Sequence, residues 1–214
     1  MVTNYNTPNY FVVDASNANY NAIFEAHNFD VCINCSGAAS VPDSIKNPDR
    51  DFTLNTLNVF RQLEAIRKYN ATCKYVNLSS AAVYGNPQYL PIDENHPCNP
   101  ISPYGNHKKM AEDICKEFHE HFHIATCSLR IFSAYGSRLK KQLFWDLFMK
   151  SKKTQKVSLF GTGDESRDFI YILDLVKAID LVIHKASFKN DVINIANGVE
   201  SKIKNVVSKF YSLF

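Results

Sequence analysis

Tyr104 and Lys108 stand four residues apart in the stretch PYGNHKKMAE (103–112). On a helix, residues at this spacing share one face. An ammonium beside a phenol favours the phenolate and lowers its pKa, which gives a base able to work near neutral pH. Ser80, in NLSSAAVYG (77–85), offers a hydroxyl to share the proton and hold a substrate oxygen. A Tyr and a Lys at this spacing also meet by chance on many helices, so the pair takes its meaning from what surrounds it.

The surrounding chain alternates short apolar runs with helical periods. YFVVD (10–14), FDVCINCSG (29–37), CKYVNLSS (73–80), IATCSLRIF (124–132), VSLFG (157–161) and DVINIAN (191–197) read as strands. Helices are expected over 17–27, 48–69, 102–121, 141–150, 174–185 and 202–213, with a polar loop over 85–102. Ser102 suits an N-cap and Pro103 the first helical position. Strands alternating with helices argue for an α/β fold, a parallel sheet with helices on both faces. Ligands of such sheets bind beyond the carboxyl ends of the strands, where Gly37, Ser80 and Ile131 all fall.

The chain has 214 residues, which suits one large domain or one domain with part of another. Apolar residues make up 45%, enough for a core. A formal charge of +3, with no Lys/Arg run longer than two, is too mild to point to nucleic acid. The apolar runs are too short and too charged for a transmembrane helix, and the N-terminal stretch MVTNYNTPNY lacks a signal-peptide pattern. A cytoplasmic setting is the expectation. Of the six cysteines, Cys32 and Cys35 form C-x-x-C. On a strand these positions point to opposite faces, so a shared metal is not expected, and the cysteines read as buried apolar residues.

Four motifs come in order: NLSSAAVYG (77–85), PYGNHKKMAE (103–112), LRIFSAYG (129–136) and FGTGDESRDFIYILDL (160–175). Together, over nearly the whole chain from Tyr10, they resemble the extended short-chain dehydrogenase/reductases, and within them the NAD-dependent epimerase/dehydratase family of nucleotide-sugar enzymes. The resemblance implies that Tyr104 and Lys108 are the catalytic YxxxK pair and Ser80 the catalytic Ser/Thr, which also touches substrate. It implies NAD as cofactor, whose cationic nicotinamide ring would further favour the Tyr104 phenolate. Asp14 would contact its adenine; Cys35, Ser36 and Gly37 would line it; Asn55 would support it. Ile131 to Ser133 would lie between nicotinamide and sugar, with Ser133 on the substrate side. Arg167 would grip the substrate diphosphate, as guanidinium suits phosphate. A homodimer is implied, built from helices 48–69 and 102–121 packed as a four-helix bundle.

The dehydratases of this family carry Asp-Glu after the catalytic Ser/Thr, and here Ala81 and Ala82 hold no proton to give. The resemblance therefore implies epimerisation through a transient keto-sugar, with a simple dehydrogenase or reductase as a competitor. Two further departures are Asn34, where the family often has His, and Ser133, where it often has Asn. The seven glycines fall at 37, 85, 105, 136, 161, 163 and 198. None form the family's G-x-x-G-x-x-G loop, whose amides and helix N-terminus hold the cofactor pyrophosphate. YFVVD resembles the family's third strand. The expectation is a Rossmann-like domain over 1–133, incomplete at its N-terminus, and part of a small substrate lobe over 134–214 interleaved with Rossmann elements. The alternative is a noncatalytic fragment or remnant that serves as a binding module.

Overall fold

A computed structural model describes residues 12–152 and 161–213. Four strands, β1 (Val31–Asn34), β2 (Lys74–Ser80), β3 (Thr126–Ile131) and β6 (Lys189–Ile195), form an all-parallel sheet in the order β1-β2-β3-β6. Parallel neighbours need crossover connections. The first crossover runs through α2 (Val41–Lys46), α3 (Pro48–Phe52), a π-helical turn (Thr53–Leu57) and α4 (Asn58–Tyr69). The second uses α5 (Pro103–Phe122), and the third passes through α7 (Ile172–Lys185). A short helix α1 (Tyr20–Ala26) precedes β1.

The two faces of the sheet differ because strand residues alternate sides. Tyr75 joins Phe24, Leu63, Ile66, Cys115 and Phe118 in a core under α1, α4 and α5. Its neighbour Val76 joins Cys127, Leu129, Leu175, Val182 and Ile195 under α7. Further along β2 and β3 the α5 face turns polar: Asn77 lies opposite Ser128 and Ser79 opposite Arg130, all of them buried. The α7 face stays apolar along its middle, through Val76, Leu78, Cys127 and Leu129.

A second, three-stranded sheet joins β4 (Ser133–Tyr135), β5 (Ser166–Tyr171) and β7 (Glu200–Lys202), with β4 parallel and β7 antiparallel to β5. Helices α6 (Gln142–Ser151) and α8 (Ile203–Tyr211) flank it in sequence. These three strands are too short, or too charged (SRDFIY), for a two-residue period to stand out, and so the sequence pattern did not separate them. The chain after Ser133 supplies both this sheet and, through α7 and β6, one edge of the first.

Two expectations change. Residues 12–14 carry no strand; Asp14 instead opens a turn, its Oδ1 accepting from the Ser16 amide at 2.9 Å and the Ser16 hydroxyl at 2.8 Å. Residues 10 and 11 of that run, and 157–160 of the run VSLFG, lie outside the described residues. The cysteines are not uniformly buried either. Cys73, Cys115 and Cys127 are, but Cys35 is exposed, because β1 ends at Asn34 and Cys35 already belongs to the loop beyond it. All six are free thiols. No helix among the described residues is long and apolar enough to cross a membrane.

Candidate active site

Helix α5 sets the geometry. Its N-terminus is capped by Ser102 Oγ, which accepts from the Gly105 amide at 3.1 Å, with Pro103 at the first helical position. One turn is tied down from outside: Ser44 Oγ on α2 accepts the Tyr104 amide at 3.1 Å. Gly105 permits the close approach of the 3-10 turn Ala81–Val83, since a Cβ there would lie 2.6 Å from the Ala82 carbonyl oxygen. That approach brings the carboxyl end of β2, and Ser80 with it, against the first turn of α5.

The result is a buried cluster. Tyr104 and Lys108 are each only 8% exposed. The Ser80 side chain sits beside the Tyr104 hydroxyl and favours its phenolate, and Ser80 Oγ accepts the Ala82 amide at 3.2 Å. Lys108 Nζ donates to the Leu78 carbonyl at 2.8 Å. A Cβ on Gly37 would lie 3.2 Å from Lys108 Nζ and 2.7 Å from Asn55 Oδ1. Gly37, Asn55, Lys108, Tyr104 and Ser80 therefore meet at the carboxyl ends of β1 and β2.

Asn55 sits inside the π-helical turn, a feature that recurs at functional sites. Its Nδ2 donates to the Ala38 carbonyl at 3.0 Å, which fastens the loop after β1. Its Oδ1 is fully buried and has no partner. Ser36 is held from below, its hydroxyl donating to Asn34 Oδ1 at 2.6 Å while Tyr75 donates to Gln62, whose amide lies 3.4 Å from both Asn34 and Ser36. Asn34 thus serves as an internal strut for this loop.

The electrostatics differ from the sequence expectation in one respect. Tyr104 is pushed up from its ordinary value, by burial first and then by the charge of Asp51, with the Ser80 hydrogen bond pulling the other way. The Lys108 ammonium donates to the Leu78 carbonyl at 2.8 Å. Burial also lowers Lys108 itself to about 8.

The remaining candidates lie around this cluster. Ile131 pairs in register with Ser80 across β2 and β3. Ser133 opens β4, opposite Phe169 on β5, and Arg167 lies two positions along from Phe169 on the same side. Arg167 is exposed, and its guanidinium donates to the neighbouring Ser166 carbonyl at 2.8 Å. Asp14 is exposed in its turn, away from the catalytic cluster; Asn58 of α4 holds the following Ala15 carbonyl at 2.8 Å.

A second polar assembly escaped sequence reasoning. Arg130 makes a two-pronged pair with Glu112, Nε to Oε1 at 3.0 Å and Nη2 to Oε2 at 2.8 Å. Glu112 also accepts from Ser79 at 2.6 Å, and Arg130 donates to the Tyr84 hydroxyl at 3.0 Å, which donates to Asn194 at 2.7 Å. This network links α5, β2, β3 and β6 directly below Ser80. Its one sequence signal is a charge, Arg130, inside an otherwise apolar strand run.

The parallel sheet, with Tyr104, Ser80 and Lys108 gathered at its carboxyl ends and the loop carrying Gly37 beside them, defines a Rossmann-like scaffold. The model of the NAD dependent epimerase/dehydratase family matches residues 6–196, and the chain belongs to that family. A relative in Methanocaldococcus jannaschii, named "Putative UDP-glucose 4-epimerase", is 35% identical over 83% of this chain and 58% of its own length. Among solved structures, UDP-glucuronic acid 4-epimerase from Bacillus cereus, in complex with UDP-glucuronic acid and NAD, superposes with a TM-score of 0.85 at 25% identity, over 94% of this chain and 64% of that one. UDP-N-acetylglucosamine 4-epimerase from Methanobrevibacter ruminantium, in complex with UDP-N-acetylmuramic acid, gives 0.81 at 27% identity, over 92% and 63%. The chain thus spans about three-fifths of the length of these relatives.

Proposed function

We propose that this chain takes part in NAD-dependent epimerisation of a nucleotide sugar, with Tyr104 as the base, Ser80 as its hydroxyl partner and Lys108 as its cationic support. The observation that carries the reading is the buried convergence of these three side chains with Gly37 and Asn55 at the strand ends. A uridine diphosphate sugar is the substrate class favoured by the relatives' names.

The residues present fit a dinucleotide at that place. Any side chain at position 37 would collide with Asn55 and Lys108, and the unpartnered Asn55 Oδ1 faces the same spot. Cys35, Ser36, Gly37, Lys108, Tyr104 and Ile131 would hold the cofactor, with Asn55 behind them and Asp14 toward the adenine. NAD bound there would supply a hydride acceptor and, on return, a hydride donor.

The protein's own part is proton handling. The Tyr104 phenolate accepts the proton of a sugar hydroxyl as its carbon becomes a carbonyl, and Ser80 Oγ holds that oxygen. Tyr104 gives that proton back, with Ser80 still holding the oxygen, when the carbonyl is reduced from the other face. Tyr104 must ionise against its burial, so a protonated Lys108 beside it has a defined task. Ala81 and Ala82 provide no acid for loss of water, which disfavours dehydration. Ser133 and Arg167 would meet the sugar diphosphate. The division of labour falls near residue 133, cofactor residues before it and substrate residues after it. Phe60 and Phe122, exposed on α4 and α5, would lie within a four-helix contact between two copies.

Calorimetric titration of the 214-residue chain with NAD is the test. Micromolar binding, followed by interconversion of a UDP-sugar and its 4-epimer without net NADH, is the expected result. A folded chain that binds no NAD overturns the reading and leaves the noncatalytic alternative. Accumulation of NADH would instead indicate a dehydrogenase.

A further inference from the structure

One hydrogen-bonded side-chain pair joins α3 to α5 beside Tyr104 and Lys108, and the proposed reaction does not use it. His107 sits on α5 between Tyr104 and Lys108, and its Nδ1 is 2.6 Å from Asp51 Oδ2 on α3. A carboxylate can only accept, so Nδ1 carries the proton. Asp51 is 2% exposed, and its other oxygen, Oδ1, is buried without a partner. The pair is fixed on all sides. Thr56 donates to the His107 carbonyl at 2.9 Å, and the Phe52 ring packs edge-on against the imidazole with centroids 5.4 Å apart.

A half-satisfied carboxylate this deep is costly unless its charge has a use. We propose that Asp51 and His107 are a positioning pair for Tyr104 and Lys108, in which Asp51, held in place by His107, is the counter-charge that keeps the buried Lys108 ammonium charged. The inference rests on the catalytic reading of Tyr104 and Lys108 given above. The ionisable groups that face Lys108 are Asp51 from α3, Cys35 from the loop after β1, and Glu112 and Cys115 from its own helix. Burial is the largest influence on Lys108 and lowers it; Asp51 comes next and is the leading influence that raises it. Asp51 also raises Tyr104, after burial. The pair therefore sets two opposed quantities together: more positive charge on Lys108, and a less acidic Tyr104. Protonation of His107 would mute both effects at once.

The test follows Lys108 directly by NMR of the full chain labelled with carbon-13 at lysine Cε, with Lys108 assigned through Lys108→Arg. Its midpoint should fall below the starting value of about 8 in Asp51→Asn. It should hold near that value in His107→Asn, which keeps a donor toward Asp51, and fall in His107→Leu, which removes it. An unchanged midpoint in a folded Asp51→Asn protein overturns the proposal. Should that variant not fold, equal midpoints in His107→Asn and His107→Leu overturn it just as firmly. The unaltered protein gives a third reading: nitrogen-15 histidine spectra should show His107 Nδ1 protonated throughout, and a bare Nδ1 rules the pair out. None of these readouts needs turnover. Failure of NAD binding would sink the catalytic reading while leaving the Lys108 result intact, and an unresponsive Lys108 would sink the pair while leaving catalysis intact. If turnover is found, the pH profile of kcat should move in His107→Leu and be restored in His107→Asn.

Discussion

The two sheets of this molecule treat their polar residues in opposite ways. At the carboxyl ends of β1, β2 and β3, most polar side chains are buried or half-buried and held in place: Lys108 by Leu78, Ser36 by Asn34, Glu112 by Ser79 and Arg130. On the β4-β5-β7 sheet, Arg167 is exposed and tied only to the carbonyl beside it. Groups that move protons need fixed geometry and low dielectric. A group that would grip a mobile diphosphate can wait in water and close on arrival. On the proposed function, the first sheet would carry the chemistry and the second the contact with substrate.

The hardest way to break this comparison is to remove the base. Tyr104→Phe deletes one hydroxyl from a packed position, so the fold should persist while turnover drops by about 10²–10⁴-fold. Thermal melting and a coupled sugar-nucleotide assay would check both halves. Retention of full activity by a folded variant would falsify the role given to Tyr104.

Next comes the support beneath the site. Arg130→Met strips Glu112 of its charged partner in a place 5% exposed. Breaking a buried pair from one side costs about 3–5 kcal/mol, so the midpoint of denaturant unfolding should fall sharply. A change under 1 kcal/mol would mean that the network is a passenger. The matching change on the second sheet, Arg167→Ala, should leave stability within about 0.5 kcal/mol, as exposed sites do.

How much of this was legible beforehand follows the same divide. The apolar periodicity placed the helices now seen at Tyr20–Ala26, Asn58–Tyr69, Pro103–Phe122 and Ile172–Lys185, and Ser102 was readable as a cap because its type and position are local facts. The ordered motifs gave the Tyr104, Lys108 and Ser80 set. What stayed hidden depends on distance along the chain. Asp51 and His107 pair across 56 positions, and Arg130 reaches Tyr84 across 46; no window of sequence holds both partners. The π-helical turn around Asn55 reads as plain helix, since one extra residue per turn hardly disturbs a 3.6-residue period. The strands of the second sheet are too brief to show alternation. The Tyr104 pKa runs opposite to the expectation because spacing alone cannot show how deeply the phenol is buried.

Gly37 offers a gentler probe. Gly37→Ala would drive a methyl to 2.7 Å from Asn55 Oδ1, so the loop must shift. Gly37 is exposed, so the global fold should hold while NAD affinity weakens by at least about tenfold, the effect of a loss near 1.4 kcal/mol. Titration calorimetry measures this. Unchanged affinity would place the cofactor elsewhere.

One further effect is the most informative, because its sign runs against intuition. Lys108 titrates at about 8 when folded, against an ordinary value of 10.5. A depressed lysine binds fewer protons folded than unfolded between those two values, so stability should rise as pH climbs from about 8 toward 10.5. Below that window the buried charge is a standing cost. Lys108→Met keeps the length of the side chain and removes the charge, so it should stabilise the protein at pH 7 by about 1–3 kcal/mol and flatten this pH dependence. It should also abolish turnover. A protein that becomes more stable as it loses its chemistry would locate the price of function at one ammonium group. Arg167→Ala keeps Lys108 and should therefore keep this pH dependence unchanged. If Lys108→Met instead destabilises at every pH, the hydrogen bond to Leu78 outweighs the burial of charge, and the first sheet holds its lysine for structure.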